Sequence, residues 1–471
     1  MPAIPLDAAV RKQRMPDFPS PLPLAAFEEY LLCDDQPKHP MSIIARLGFA
    51  GQLDRRATAE ALETVVARHP LLRAKVRKSP AGRLEWIAAA DRAPAIAWID
   101  GPSDDRLPAM GPIDLFSESG LRVWTVADSQ RSSLVLQVHH AVRDGKAVFQ
   151  VLDDFLRSYA HAVDRKNARI ELPPCDAEAL RGRDTFGLTA LKCLRMLPAQ
   201  LSGLLGVWQF LVRRPVPLLE PVAAICGELP ASFPDVKVGR LEAEDLRRLS
   251  AAAADSQVTV NDWLLRDFFV AVAEFRARHQ ATSAREWISF AVPMSLRQAA
   301  DRRLPAANVA SMVFLQRTSA QIADPGLLRS LHAEMDSIRR RQLGLTLIFS
   351  LWVLRALPGG LARRARHGRC EATCVLSNLG RAMADSPLPQ CNEKVVVGNV
   401  VLEDIDCFGP VHEGTAVTAE LLFYAGELRI CMHYDRRCVT EAQADDLMAT
   451  YLGTIHASLD MAGRAIQDKA A

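Results

Sequence analysis

Alternating apolar and polar residues predict two neighbouring strands in the first third of the chain. Leu121 to Val126 and Leu134 to His139 carry this alternation, and the polar segment Asp128 to Ser132 between them predicts a turn. Behind the second run, apolar residues recur at helical spacing, at Val148, Val151, Leu152, Phe155, Leu156 and Tyr159. The segment from 134 to 159 is therefore predicted to form a strand, a short loop and a helix, a junction at which a rigid scaffold presents loop side chains.

Two regions of the chain alternate helical with strand-like patterns, which is typical of an α/β fold. In the first region, Leu53 to His69 is predicted as a helix with Asp54 at its N-cap. In the second region, Leu241 to Ala252 and Val260 to Arg278 are predicted helices, and Arg285 to Val292 is a predicted strand.

The domain boundaries follow from where these patterns break. Pro173-Pro174 ends the first region and marks a natural boundary. We predict an N-terminal lobe over 1–175, an apolar interlobe helical segment over 176–234 and a C-terminal lobe over 235–471. No sequence repeat relates the two lobes.

Two uncharged apolar stretches have arginines on both sides. They are Met196 to Val212 and Gln342 to Leu354, and each is shorter than the roughly 20 apolar residues that span a bilayer. They are predicted either as buried or interlobe helices, or as an interfacial patch whose flanking arginines meet lipid phosphates.

Composition indicates a globular enzyme and excludes several other classes of protein. Of 471 residues, 49% are hydrophobic and 24% are charged, and a formal net charge of +2 argues against a dedicated nucleic-acid-binding protein. Met1 to Met15 is polar and contains proline, so we predict no signal peptide and a cytoplasmic location, with peripheral contact at the inner face of a membrane as an option. The 10 cysteines are scattered without histidine partners, which favours free thiols and no metal site.

The loop after the second strand carries the most informative stretch of the chain, His139-His140-Ala141-Val142-Arg143-Asp144-Gly145. Because successive side chains of a strand point to opposite faces, His139 and His140 cannot do the same work. One braces the structure and the other faces a solvent channel, where an imidazole with a pKa of about 6.5 can remove a proton at cellular pH. The alternative interpretation is a pair of satisfied structural histidines at a strand end.

Asp144 and Gly145 have separate predicted roles. Asp144 either orients the catalytic imidazole or pairs with an arginine to fix the loop, and we favour the pair because an unpaired buried carboxylate is costly. Gly145 lets a substrate backbone or thioester approach closely, because it has no side chain.

This heptapeptide resembles the HHxxxDG signature of the CoA-dependent acyltransferase superfamily. That superfamily includes chloramphenicol acetyltransferase-like enzymes, nonribosomal peptide condensation domains and wax ester synthase/diacylglycerol acyltransferases. Further segments resemble it in the same order: Pro21 to Leu24 with Pro40 to Ile43, Arg68 to Arg73, Val292 to Arg297, Asn308 to Leu315, Val375 to Gly380, and a hairpin predicted over Leu421 to Tyr434. The DFGWG motif of the plant-type branch is absent.

The resemblance implies a fold and a set of site residues. The fold is two chloramphenicol acetyltransferase-like lobes, each a mixed sheet flanked by helices, with an active-site tunnel between them and a crossover segment near 370–395. His140 is then the general base, His139 is structural, and Arg297 is the distant arginine that pairs with Asp144. The candidates for oxyanion or substrate binding are Ser377, Asn378, Ser295 and Asn308.

The same resemblance leads to three functional hypotheses. The leading one is transfer of an acyl group from acyl-CoA to a hydrophobic alcohol or glyceride hydroxyl. The alternative is a stand-alone condensation enzyme that forms an amide or ester from an acyl group bound to a phosphopantetheinyl carrier protein. The third is a catalytically silent docking module, against which the intact His140, Asp144 and Gly145 argue. No permanently bound cofactor is expected. The expected partners are the donor thioester, with an acyl carrier protein in the alternative, and a small alcohol or amine acceptor.

Overall fold

The computed structural model describes residues 18–89, 92–102, 106–164, 171–220, 228–366 and 368–470. The signal-peptide prediction for Met1 to Met15 therefore falls outside the described residues. Within them, helices and strands alternate along the chain, as the sequence pattern predicts.

The strands are, in chain order, β1 (Leu22–Pro23), β2 (Ser42–Ala50), β3 (Ala74–Lys78), β4 (Leu84–Ala88), β5 (Ile96–Asp100), β6 (Leu121–Ala127), β7 (Arg131–His139), β8 (Val236–Leu241), β9 (Trp287–Ser295), β10 (Ala310–Thr318), β11 (Cys374–Arg381), β12 (Gln390–Cys391), β13 (Lys394–Val397), β14 (Val400–Phe408), β15 (Val417–Tyr424) and β16 (Glu427–Tyr434). The α-helices are α1 (Ala26–Asp34), α2 (Arg55–Arg68), α3 (Gly145–Val163), α4 (Ala190–Val212), α5 (Ala243–Asp255), α6 (Val260–His279), α7 (Ser319–Ile322), α8 (Leu327–Arg340), α9 (Leu345–Ala356), α10 (Gly360–Ala365) and α11 (Glu441–Ala470).

The elements predicted around the histidine motif lie close to their predicted bounds. The two alternating runs are β6 and β7, and the helical pattern behind them is α3. Asp54 is the N-cap of α2, where its carboxylate accepts a hydrogen bond from the Ala57 N–H at 2.7 Å. The predicted C-terminal hairpin is β15 and β16, and Ala425 and Gly426 both have positive φ, as a tight two-residue hairpin turn requires.

β7 lies inside a seven-stranded sheet of order β12-β13-β14-β2-β7-β6-β5. It pairs antiparallel with β2 on one side and with β6 on the other, and every residue from 132 to 139 is buried. Because both faces and both edges of this strand are covered, the loop that follows His139 starts from a fixed position.

A second, six-stranded sheet has the order β10-β9-β11-β15-β16-β8. β11 runs parallel to β9 and β15, while the other pairings are antiparallel. Each large sheet has its own hydrophobic core, one centred on residues such as Val138 and Phe155, the other on Phe268 and Phe290. The predicted architecture of two α/β lobes, each a mixed sheet flanked by helices, is confirmed.

The chain crosses between the two sheets after β11. It adds β12, β13 and β14 to the first sheet and returns to the second sheet as β15. β14 pairs with β2 from Val401↔Ala50 to Phe408↔Ile44. The strands added by this excursion span 390–408, so the crossing reaches further along the chain than the expected range of 370–395.

Helix α4 lies on the surface and presents apolar side chains to solvent. Those more than half exposed are Leu191, Leu194, Leu197, Leu201, Trp208 and Val212. At 3.6 residues per turn they share one side of the helix. Another side contacts α9, where the Thr346 hydroxyl donates a hydrogen bond to Gln200 at 2.8 Å. Of the predicted alternatives for this stretch, a buried helix does not fit the exposed side of α4, while an interlobe helix and an interfacial patch stay predictions. Within the described ranges, no helix combines the length and apolarity needed to cross a membrane.

Candidate active site

The motif residues occupy the junction between β7 and α3. His139 is the last residue of β7, opposite Ser42 of β2, and the His140 N–H donates to the Met41 carbonyl at 2.6 Å. The chain then turns, and α3 begins at Gly145 with Asp144 as its N-cap. A strand end and a helix start thus fix the loop from both sides.

The two histidines have different environments. His139 is buried, and its Nδ1 accepts a hydrogen bond from the Ala141 N–H at 3.0 Å while its Nε2 lies 3.5 Å from an Asp35 carboxylate oxygen. His140 is half-buried and lines a cavity. Its ring has no hydrogen bond to another described residue, and Nδ1 is buried without a partner. His139 therefore braces the loop, and His140 is the imidazole available to a substrate.

Burial lowers the pKa of His140 to about 4. Its own backbone and the Asp144 carboxylate act in the opposite direction but do not compensate. The imidazole is therefore neutral at pH 7, which is the form that can accept a proton.

Asp144 ties three parts of the chain together. Its carboxylate accepts two hydrogen bonds from Arg297 Nη1, at 2.9 and 2.8 Å. It also accepts the Ala147 N–H at 2.9 Å, at the start of α3, and the Val309 N–H at 2.8 Å, just before β10. None of these bonds involves the His140 ring. Of the two predicted roles, the structure contains the loop-fixing ion pair and no contact that would orient the imidazole.

Gly145 lies where the motif meets the second lobe. A Cβ atom at this position would lie 2.6 Å from Cδ2 of Leu379 on β11. The residue also lines the cavity. Packing between the lobes therefore requires a residue without a side chain at position 145. The predicted close approach of a substrate to Gly145 stays a prediction.

Asn308 does not have the predicted substrate-binding role. It is buried outside the cavity lining, and its amide Nδ2 donates to the carbonyls of His140 at 2.9 Å and Ala141 at 2.8 Å. Both amide hydrogens are therefore used. Asn308 holds the backbone of the motif loop and has no donor left for an oxyanion.

A cavity of about 170 Å³ lies between the lobes and includes the motif. The first lobe contributes Phe27, Tyr30, Asp34, His140, Asp144 and Gly145, and the second contributes Pro293, Met312, Phe314, Ser377, Asn378, Leu379, Thr418 and Glu420. The site is therefore a space between two sheets, in which substrates can meet next to His140.

The remaining predicted oxyanion donors line this cavity, but two of them already have partners. Ser377 is hydrogen-bonded to the Glu420 side chain. Asn378 Nδ2 donates to Asn261 at 2.9 Å, and its Oδ1 accepts the Gly380 N–H at 2.9 Å. Ser295 accepts the backbone N–H of Arg297 at 3.4 Å, which leaves its hydroxyl hydrogen available.

The cavity also contains two ionisable residues that the sequence analysis missed. His412 lies in the loop between β14 and β15, and its Nδ1 is 3.0 Å from Asp34. Glu420 lies on β15, opposite Ser377, with one carboxyl oxygen buried and unpartnered. Burial raises the pKa of Glu420 to about 8, so its carboxyl is mostly protonated at pH 7. A lone acid inside an otherwise apolar strand was the available signal for Glu420, whereas His412 had none.

Comparison with known proteins agrees with this geometry. No protein-family model matches the chain. The nonribosomal peptide synthetase FmoA3 matches 94% of this chain and 45% of its own, with a TM-score of 0.63 and 17% identity. The first condensation domain of the calcium-dependent antibiotic synthetase, solved with a substrate analogue, matches 95% of this chain and 97% of its own, with a TM-score of 0.63 and 16% identity. The chain has the condensation-domain fold.

Two further proteins are similar to this chain, one in structure and one in sequence. SgcC5 from Streptomyces globisporus matches 93% of this chain and 98% of its own, with a TM-score of 0.65 and 14% identity. In sequence, vanchrobactin synthetase VabF of Vibrio anguillarum is 31% identical over 177 aligned positions, and the match covers 32% of this chain. The matched part is 6% of the length of that synthetase.

Proposed function

We propose that this protein is a condensation enzyme, which joins an acyl group carried as a thioester on a phosphopantetheinyl carrier protein to an amine or hydroxyl of a second substrate. The observation that carries the proposal is His140, a neutral imidazole in a cavity between two lobes, with no other described residue hydrogen-bonded to its ring. The condensation-domain fold and the local likeness to a peptide synthetase support a carrier-bound donor rather than free CoA.

The proposed reaction needs one base and no covalent enzyme intermediate. His140 takes a proton from the amine or hydroxyl as the nucleophile's lone pair bonds to the thioester carbon. The carbonyl π electrons move to oxygen and form a tetrahedral oxyanion. When the carbonyl re-forms, the C–S bond breaks, and the departing thiolate takes the proton from His140.

Release of free thiol from matched acyl donors tests this proposal. A ladder of acyl groups is loaded on a phosphopantetheinyl carrier protein and, separately, on CoA, and each is offered with pooled amines and alcohols. We expect acceptor-dependent thiol release from the carrier-bound donors, and its loss by at least about 100-fold in His140→Ala. His456→Ala, a change at a half-exposed histidine on α11, is the matched control.

The outcome of the same assay separates the hypotheses. Release from carrier-bound donors that survives in His140→Ala contradicts the assigned base. Release from CoA thioesters alone favours the second candidate below. No release from either donor, under conditions in which the protein is folded, supports a catalytically silent module.

The second candidate is transfer from acyl-CoA to a hydrophobic alcohol or glyceride, and one observation favours it. The exposed apolar side of α4 fits a protein that takes its acceptor from a lipid surface. No acidic residue occurs from 185 to 219, while Lys192, Arg195, Arg213 and Arg214 lie within that range. We propose that this side of α4 rests on an anionic membrane surface, which is compatible with either donor.

A further inference from the structure

A second histidine faces the same cavity as the catalytic base. His412 lines the cavity, and its Nδ1 lies 3.0 Å from a carboxylate oxygen of Asp34, the last residue of α1. Its side chain is 28% exposed, and no described residue hydrogen-bonds its Nε2. Because the Asp34 carboxylate accepts the hydrogen bond of Nδ1–H, the second N–H of the protonated ring, at Nε2, is the one that can donate to a molecule in the cavity.

The turn that carries His412 is held on several sides. His412 and Thr415 exchange backbone hydrogen bonds at 3.2 and 3.0 Å, and Thr415 Oγ1 donates to the Ala372 carbonyl at 2.8 Å. Gly414, between them, has a φ of +80° and packs against the backbone of Cys370. The imidazole is therefore fixed by the backbone as well as by Asp34, as a preorganised catalytic donor must be.

Charge in the cavity favours the protonated form of His412. Burial opposes the charge, but the hydrogen bond that His412 donates to Asp34 and the charges of Asp34 and Glu371 outweigh it, so the pKa of His412 lies above its ordinary value. Ionisable groups that share the cavity with His412, among the described residues, include Tyr30 on α1, Arg364 on α10, Arg369, Glu413 in the same turn, and Lys146, Asp144, Arg297, Glu420 and His140 across the cavity. His433 on β16 also interacts with His412 electrostatically.

We propose that His412, oriented by Asp34, is a second catalytic residue, which donates a hydrogen bond from its imidazolium Nε2–H to the oxyanion of the tetrahedral intermediate. This inference rests on the proposed acyl transfer. His140 receives the proton of the nucleophile, and the carbonyl oxygen that gains the π electron pair is held by His412. The hydrogen bond is released when the carbonyl re-forms and the thiolate leaves, so His412 keeps its proton throughout the cycle.

The pKa values of His140 and His412 are shifted in opposite directions, as the roles of base and hydrogen-bond donor require. His140 is neutral and can accept a proton, while the Asp34 carboxylate beside His412 raises the pKa of that imidazole and favours its charged, hydrogen-bond-donating form. The charge on His412 lowers the pKa of His140 further. The predicted donors Ser377 and Asn378 are already engaged with Glu420 and Asn261. Of the predicted residues, Ser295 keeps a free neutral hydroxyl, and His412 adds a donor that can carry charge.

The rate of thiol release as a function of pH tests the inference. With the donor and acceptor that the thiol-release assay selects, His412→Ala is expected to lower kcat about 100-fold with little change in KM. In the wild type, the rate should fall at alkaline pH, where His412 loses its proton. His412→Gln keeps a neutral donor, so part of the rate lost in His412→Ala should return, and the fall at alkaline pH should disappear. Asp34→Asn moves that fall to lower pH, because it removes the charge that raises the pKa of His412.

Glu441→Gln is the control, since it neutralises an exposed carboxylate on α11 that does not line the cavity. It should leave kcat and the pH profile unchanged. If kcat of His412→Ala stays within about threefold of wild type, or if Asp34→Asn leaves the alkaline limb in place, the inference is overturned. Loss of turnover in His140→Ala in that same assay would show that the acyl transfer itself stands. Absence of turnover by the wild-type protein would overturn both.

Discussion

At the residue scale, the Asp144 carboxylate makes several hydrogen bonds at the site, and none of them is to the His140 ring. Asp144 is an N-cap, an ion-pair partner and the acceptor for a backbone N–H of another lobe. An aspartate side chain is short, so these bonds fix the start of α3, β10 and Arg297 relative to one another. Asp144 therefore holds the loop that carries His140, the proposed base.

Arg297→Ala should destabilise the protein well beyond the loss of a surface ion pair. The Asp144 side chain is 5% exposed, so the variant leaves a buried carboxylate without its cation. We expect the free energy of unfolding to fall by about 3 kcal/mol, measured by denaturant titration. The control is Arg55→Ala, whose pair with Asp100 is exposed and 3.8 Å long, and whose removal should cost less than about 1 kcal/mol. Equal losses in the two variants would contradict the role given to Asp144.

Glu420 makes a separate prediction, about stability and pH. Its pKa is about 8 in the folded protein and close to 4.5 when unfolded, so the folded state binds the proton more tightly. The stability that this proton contributes is complete below about pH 4.5 and is lost as the pH rises through 8. Glu420→Gln has no carboxyl proton to lose. Its free energy of unfolding should therefore rise relative to that of the wild type between pH 5 and 8, by on the order of 3 kcal/mol at pH 7.

Thermal or denaturant unfolding of both proteins at pH 5 and pH 8 measures the difference. The control is Glu403→Gln, which removes a partly exposed carboxylate paired with Lys394. It should change the dependence of unfolding free energy on pH much less than Glu420→Gln does. Parallel curves for wild type and Glu420→Gln would mean that the acid is ionised in the folded protein.

At the scale of elements, α4 is the feature with an unassigned surface. Six apolar side chains are exposed on one side of this helix. A helix side that faces only water rarely exposes so many, whereas a helix side that contacts the interfacial region of a lipid bilayer does. The double variant Leu194→Ser/Leu201→Ser removes two side chains that are 66% and 58% exposed. It should weaken sedimentation with phosphatidylserine-containing vesicles about tenfold.

Two comparisons make the vesicle experiment specific. Met461→Ser, at an apolar side chain that is 63% exposed on α11, should bind as the wild type does. Binding should also weaken in high salt and on vesicles of phosphatidylcholine alone, because the arginines near α4 would contribute electrostatically. Wild-type protein that does not sediment with anionic vesicles would show that α4 faces something other than lipid.

The sequence predicts the elements near the motif well, and the long-range contacts poorly. β6, β7, α2 and α6 follow from periodicity and from N-caps such as Asp54, because these signals are local. The site is predictable as far as the motif and Arg297. Asn308 was misassigned because only the fold places its amide under the His140 carbonyl, and His412 was missed because only the fold brings its loop to Asp34, 378 residues away.

At the scale of the whole molecule, a buried charge network ties the two sheets together. Asp406 on β14 accepts hydrogen bonds from Arg46 on β2, at 2.9 Å, and from Arg429 on β16, at 2.7 Å. The three side chains are at most 3% exposed. Arg46 belongs to the first sheet and Arg429 to the second, so this carboxylate bridges the lobes on whose relative position the cavity depends.

Asp406→Ala should therefore destabilise both lobes, not only the strand that carries the change. The variant removes the carboxylate that pairs with the buried Arg429 guanidinium and one of the two carboxylates that pair with Arg46, so the free energy of unfolding should fall by about 3 kcal/mol or more. β14 belongs to the second half of the chain but pairs with β2 of the first sheet. We therefore expect the two lobes to unfold in one cooperative transition. Hydrogen exchange followed on β7 and β15 should accelerate together in the variant. Faster exchange confined to β15, with β7 unchanged, would mean that the lobes unfold independently and that the cavity can open without loss of either core.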